Sequence, residues 1–119
     1  MAGLHLSIRI DFPSGDRIGP GKIALLEAIR STGSISGAAR TLGMSYRRAW
    51  LLIEELNDAL VEPAVTAEIG GRSGGGAAFT QVGERVLHLY HAIESNARSA
   101  AGGEFRAIGK LVRHEKHSG

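Results

Sequence analysis

Ser36-Gly37-Ala38-Ala39-Arg40-Thr41-Leu42-Gly43-Met44-Ser45-Tyr46-Arg47-Arg48-Ala49-Trp50 reads as two helices joined by a glycine turn. Ala39 and Gly43 are the decisive pair. A small residue lets the first helix pack closely on the second, and glycine takes the left-handed conformation that a tight helix-to-helix turn demands. Ser36 and Ser45 stand where side-chain oxygens are expected to cap the two helix starts. Beyond the second serine, Tyr46, Ala49, Trp50, Ile53, Leu56 and Leu60 recur at three- and four-residue steps, the apolar stripe of a long helix. Its opposite face begins with Ser45, Arg47 and Arg48, at the end of a recognition helix that enters the major groove. Glu54, Glu55 and Asp58 make the distal end acidic, so positive charge is confined to the end that would meet DNA. The competing reading is an ordinary two-helix corner with solvated arginines.

The segment Glu68-Ile69-Gly70-Gly71-Arg72-Ser73-Gly74-Gly75-Gly76-Ala77-Ala78-Phe79-Thr80 weighs against that reading. It is expected to form a short strand, a flexible basic tip and a second short strand, a hairpin of the kind called a wing. Arg72 and Ser73 at such a tip lie against the sugar-phosphate edge or the minor groove beside the recognition helix. A nucleotide-binding phosphate loop does not fit these glycines, because no Gly-Lys-Ser/Thr ending follows and no buried parallel strand precedes them. A plain flexible loop is the simpler alternative for the glycines alone.

Elsewhere, Leu4, Leu6, Ile8 and Ile10 alternate with His5, Ser7, Arg9 and Asp11, the period of a half-buried strand. A turn at Pro13-Ser14-Gly15-Asp16 leads to a short returning strand at Arg17-Ile18-Gly19. Pro20 opens a support helix that turns Ile23, Leu26 and Ile29 inward and ends at Gly33. Thr80 is expected to cap a further helix whose Val82, Val86, Leu89, Tyr90, Ile93 and Ala97 form one apolar stripe, with Leu87 beside it. Such a stripe exceeds what a small domain covers. It predicts pairing with the same helix of a second subunit through Val82, Val86, Leu89, Tyr90 and Ile93, packing by the tail being the alternative. Gly102-Gly103 then separates a tail in which Phe105, Ile108, Leu111 and Val112 suit a short amphipathic helix ending in a basic, solvated run.

The fold class expected is mainly α with a small β component: a winged helix-turn-helix over residues 1–100, including a dimer helix over 80–99, followed by a tail over 101–119. Its 119 residues suit one domain with a modest core. The net charge of +2 is weak evidence for nucleic acid, so charge distribution has to carry the argument. With no cysteine there is no disulfide or thiolate site, which suits a reducing cytoplasm. Neither a membrane-length apolar run nor a secretory signal is present, so no membrane partner and a cytoplasmic location are expected. The pairs His88/His91 and His114/His117 have metal-compatible spacing, yet no carboxylate or cysteine completes either set, so no metal is expected. Nucleophile motifs are likewise missing, and neither catalysis nor a cofactor is expected.

Taken together, Ser34-Ile35-Ser36, Ser45-Tyr46-Arg47-Arg48-Ala49-Trp50, Glu54-Glu55-Leu56-Asn57, Gly70 to Ala77 and Leu89-Tyr90 resemble the amino-terminal DNA-binding domain of ModE-type molybdate-responsive regulators. These are winged-helix proteins related to LysR-type regulators. The resemblance covers about Ile18 to Ala97. It implies a homodimer on a two-fold symmetric double-stranded DNA operator, linked to molybdenum or oxyanion metabolism. Ser34, Ser36, Ser45, Tyr46, Arg47, Arg48, Arg72 and Ser73 are the expected DNA contacts. In that family a separate carboxy-terminal portion binds molybdate; this sequence is expected to lack it, leaving a separate effector-sensing protein as a candidate partner. The alternative function is a winged-helix module that binds proteins without reading DNA sequence.

Overall fold

The computed structural model describes residues 3–67 and 76–113. Two antiparallel strands, β1 (Ile10–Asp11) and β2 (Arg17–Ile18), precede three helices: α1 (Pro20–Thr32), α2 (Ile35–Leu42) and α3 (Tyr46–Ala59). A second antiparallel pair follows, β3 (Val65–Ala67) and β4 (Ala77–Phe79), and the chain continues into α4 (Gln81–Ala100) and α5 (Gly102–Leu111). The architecture is mainly α with a small β component, the winged helix-turn-helix plan.

Local chemistry accounts for most boundaries. Proline occupies the first turn of α1, and Gly33 closes it in the left-handed region at φ 80°. Gly43 does the same for α2 at φ 70°, so the turn into α3 uses a conformation that costs other residues about 1–2 kcal/mol. Ala38 and Ala39 of α2 and Ala49 of α3 are buried, and small side chains there allow close approach of the packed helices. Leu25, Leu26 and Ile29 of α1, Ile53 and Leu56 of α3 and Leu87 of α4 are the largest fully buried side chains of the single core.

Three expectations need correction. The first helix of the motif is capped by Ser34, whose Oγ accepts the Gly37 N–H at 2.9 Å; Ser36 lies inside α2. Ser34 also bridges to Gly76, and Ala77 N–H donates to the Gly33 carbonyl, so a contact distant in sequence selects the cap. The strand expected over residues 4–10 shrinks to Ile10–Asp11. Its alternating burial persists over residues 3–9, but the segment lies along the last two helices: the Tyr90 hydroxyl donates to the Ile8 carbonyl at 2.5 Å, and Leu4 packs at Gly109. Gly102 and Gly103 do not separate the tail; they form the first turn of α5.

Ion pairs hold α4 against α1. Arg30 contacts Glu84 at 2.7 Å, and His91 reaches Glu27 through Nε2 at 2.5 Å and Glu94 through Nδ1 at 3.1 Å. With a carboxylate at each ring nitrogen, only the imidazolium donates to both. The hydrogen bonds to Glu27 and then Glu94 raise the His91 pKa above its usual 6.5, outweighing the opposing effect of desolvation. A raised folded-state pKa means stabilisation that is complete below the unfolded value and lost as pH rises through the folded one. We therefore expect wild type to exceed His91→Gln in stability at about pH 6, with the gap closing above His91's raised pKa. Urea unfolding of both proteins across that range checks it; a constant gap would remove the charged bridge from the account.

Among the described residues, no helix is long and apolar enough to cross a membrane.

Candidate nucleic-acid interface

The start of α3 is built by its own cap. Ser45 Oγ accepts the Arg48 N–H at 3.1 Å, which fixes the first turn and places Tyr46, Arg47 and Arg48 outward. All three are exposed, and Arg40 at the end of α2 is exposed beside the same turn. Ala49, Ile53 and Leu56 face the core, so among the described residues the helix is held from that side. Glu54, Glu55 and Asp58 are exposed farther along, and Glu55 pairs with Lys22 of α1 at 3.5 Å. Cationic side chains thus cluster at the first turn of α3 and acidic ones follow.

The aromatic flank of the expected stripe departs from prediction. Tyr46 is 50% exposed and Trp50 38%, because no element among the described residues covers that side of α3. Tyr46 therefore joins the arginines on the accessible surface instead of the core. Leu51 is exposed as well, at 49%. An outward tyrosine, tryptophan and leucine offer apolar surface of the kind that contacts thymine methyl groups in a major groove.

Ser34 is half-buried and spends its Oγ on the α2 cap, and Ser36 is half-buried in the first turn of α2. Arg72 and Ser73, expected at the tip of the wing, lie outside the described residues, as does the first wing strand expected at Glu68 and Ile69. The strand that pairs with β4 is Val65–Ala67. It begins immediately after a tether that periodicity does not disclose. Asn57, in the last turn of α3, accepts the Ala64 N–H at 2.8 Å and the Val65 N–H at 3.4 Å through Oδ1, and donates from Nδ2 to the Val65 carbonyl at 2.9 Å. One side chain thereby fixes the wing strand relative to the helix that carries the arginines. Thr80 completes the hinge: it caps α4 by accepting the Gly83 N–H, and its hydroxyl donates to the Pro63 carbonyl at 2.7 Å. Gly83 has to be glycine here, since a Cβ would stand 2.5 Å from the Ala64 carbonyl oxygen.

On α4 the expected pairing residues divide. Leu89 and Ile93 are exposed, and Val82 and Val86 are half-buried. Tyr90 is 2% exposed and faces its own chain, so it is a core residue and not a surface for a partner; the neighbouring Leu87 is buried with it. Of the two histidines on α4, His91 is committed to carboxylates. Among the described residues no group of three or more His, Cys, Asp or Glu side chains is placed to hold a metal ion.

No protein-family model matches the chain. Individual relatives do. It is similar to the molybdenum-pterin-binding protein MopB of Rhodobacter capsulatus, 49% identical over 82 residues that make up 69% of this chain and 30% of MopB. It is also similar to the molybdenum transport protein ModE of Azotobacter vinelandii, 40% identical over 91 residues, 76% of this chain and 34% of that protein. The DNA-binding transcriptional dual regulator ModE of Escherichia coli K12 is 42% identical over 71 residues, 60% of this chain and 27% of the regulator. The chain spans about a third of the length of the curated relatives it matches. Over that matched length, and on a winged helix-turn-helix fold, the chain is a ModE-type sequence, homologous to the ModE and Mop proteins.

Proposed function

We propose that the chain is a sequence-specific, DNA-binding transcriptional regulator linked to molybdenum, acting as a homodimer on a two-fold symmetric operator. One observation carries the reading: Tyr46, Arg47 and Arg48 are exposed together at the capped start of α3, on a helix whose other face is anchored in the core. That end of a helix-turn-helix is the one that reaches base edges. The molybdenum link is supported by the names of the relatives, which include a molybdenum transport protein and transcriptional regulators. Leu89 and Ile93, exposed on α4, support the dimer.

Mobility-shift titration over a salt series tests the proposal, using sites selected from randomised DNA. Phosphate-directed binding weakens steeply with salt. Arg47→Ala or Arg48→Ala is expected to lower discrimination between the selected site and random DNA by about 1–3 kcal/mol, the worth of a bidentate base contact. Unchanged discrimination in both variants, with the fold intact, would place the reading surface elsewhere. A second reading is a protein-binding module, favoured by α5 and its C-cap, where Ile108, Leu111 and Val112 are exposed. It requires no shift at any salt concentration.

A further inference from the structure

A groove of about 310 Å³ opens between the β1–β2 hairpin, the start of α1 and the start of α3. Four cations line it: Arg9 before β1, Arg17 of β2, Lys22 of α1 and Arg48 of α3. Two have carboxylate partners. Arg9 pairs with Asp11 at 3.0 Å and Lys22 with Glu55 at 3.5 Å. Arg17 and Arg48 have no ion pair among the described residues, so the groove retains two uncompensated guanidinium groups. Lys22 is a structural member, its side chain only 11% exposed and its ammonium donating to the Arg17 carbonyl at 3.0 Å, which seats β2 on α1.

The backbone adds to the same field. The first turn of α1 contains no acidic residue, and its cap, Gly19, offers no side-chain acceptor to the helix amides. Those amides carry partial positive charge. Gly21 is open above them, since a Cβ there would meet nothing within 4 Å. Packing therefore does not require glycine at this position. Four cationic side chains, from β2, α1, α3 and the residue before β1, converge on one concave site that includes Arg48 of the proposed DNA-reading turn.

We infer that this groove holds a backbone phosphate of the bound DNA, extending the contact from α3 to the β1–β2 hairpin. The inference rests on the DNA-binding reading above. A helix in the major groove lies between two phosphate backbones, so a cationic recess at its first turn meets one of them while Tyr46 and Arg47 face the bases. Arg17 and Arg48 supply the charge-assisted hydrogen bonds, Arg48 at the junction of phosphate and base contacts. Contacts of this kind set register and salt dependence, not sequence preference.

The test compares wild type with Arg17→Gln and Gly21→Glu on the selected DNA site and on random DNA. A glutamate in the first turn suits the helix dipole, so Gly21→Glu retains the fold while putting a carboxylate in the groove. The expected result for Arg17→Gln is about tenfold weaker binding to both DNAs and a salt slope shallower by about one. Gly21→Glu is expected to weaken both further, with the ratio between them unchanged. Wild-type affinity and slope in both variants would overturn the phosphate site and leave the DNA-binding reading standing. Absence of any wild-type shift would overturn both. Titration with inorganic phosphate forms the other arm: tight binding of the free ion, with DNA binding unchanged in both variants, would assign the groove to a small anion and reject the DNA contact.

Discussion

Replacing Asn57 by leucine is expected to destabilise the protein by about 2–3 kcal/mol and to weaken DNA binding beyond the loss due to unfolding. The leucine has similar bulk but leaves three hydrogen bonds unmade. The Ala64 and Val65 amides lose their shared acceptor, and the Val65 carbonyl loses a donor. Ala64 and Val65 are buried, at 0% and 3% exposure, so water does not readily replace the missing partner. A buried backbone group without a partner costs about 1–3 kcal/mol, whereas the same hydrogen bond contributes only about 1 kcal/mol net when made. Denaturant unfolding measures the stability term. DNA titration under strongly native conditions isolates the positional one, because Asn57 determines where β3 leaves α3 and hence where the wing starts. Asn57→Asp separates the two polarities of the amide. It keeps the acceptor for Ala64 and Val65 but sets a carboxylate oxygen against the Val65 carbonyl, so it should be destabilised at neutral pH and recover partly as the acid protonates. A leucine variant as stable as wild type would show that the tether does not hold the wing strand.

The tether formed by Asn57 has no signature in the sequence. A polar residue at the end of a helix has many local uses, and its partners here lie seven and eight residues ahead in an irregular connection. No periodicity signals that. Gly43, Ser45, Pro20 and Thr80 were legible because each acts within four residues of itself, through a left-handed turn, a cap or a fixed φ. Ser36 and Ser34 are equivalent on those local terms. The choice between them depends on the Ser34–Gly76 bridge, which is long-range. Tyr46 and Trp50 lie at the spacing of Ala49 and Ile53, yet periodicity gives the direction of a face and not its width. The core reaches Ala49 and stops short of the two aromatics. Tyr90 and Leu89 present the same problem on α4, since the path of residues 3–9 decides which neighbour is covered. The exposed arginines of α3 followed directly from the motif. The cationic groove did not, because its four side chains come from elements up to 39 positions apart in the chain, Arg9 to Arg48.

Aspartate at Ile93 is expected to have the largest effect of all, on assembly. Ile93 and Leu89 are 43% and 46% exposed, and they border an apolar cavity of about 240 Å³ shared with Phe12, Leu60 and Val86. Two exposed aliphatic side chains one turn apart on a helix, beside an apolar recess, form the seam of the proposed dimer. An unpaired carboxylate buried in that seam costs about 3–5 kcal/mol, which weakens association by more than about 100-fold. Because Ile93 is partly exposed in the single chain, the substitution should leave the monomer folded, with unchanged circular dichroism. Ile93→Leu keeps the apolar surface and should retain the dimer. Light scattering at micromolar concentration reads the oligomeric state. Linkage carries the effect to DNA: two recognition helices held together bind adjacent half-sites with a high effective concentration, and separated ones do not. Ile93→Asp should therefore bind a two-fold symmetric site much more weakly than wild type while keeping wild-type affinity for a single half-site. A monomeric wild-type protein would overturn the dimer, and an aspartate variant that remains dimeric would place the assembly surface elsewhere; equal losses on the whole site and the half-site would trace the defect to the reading head itself.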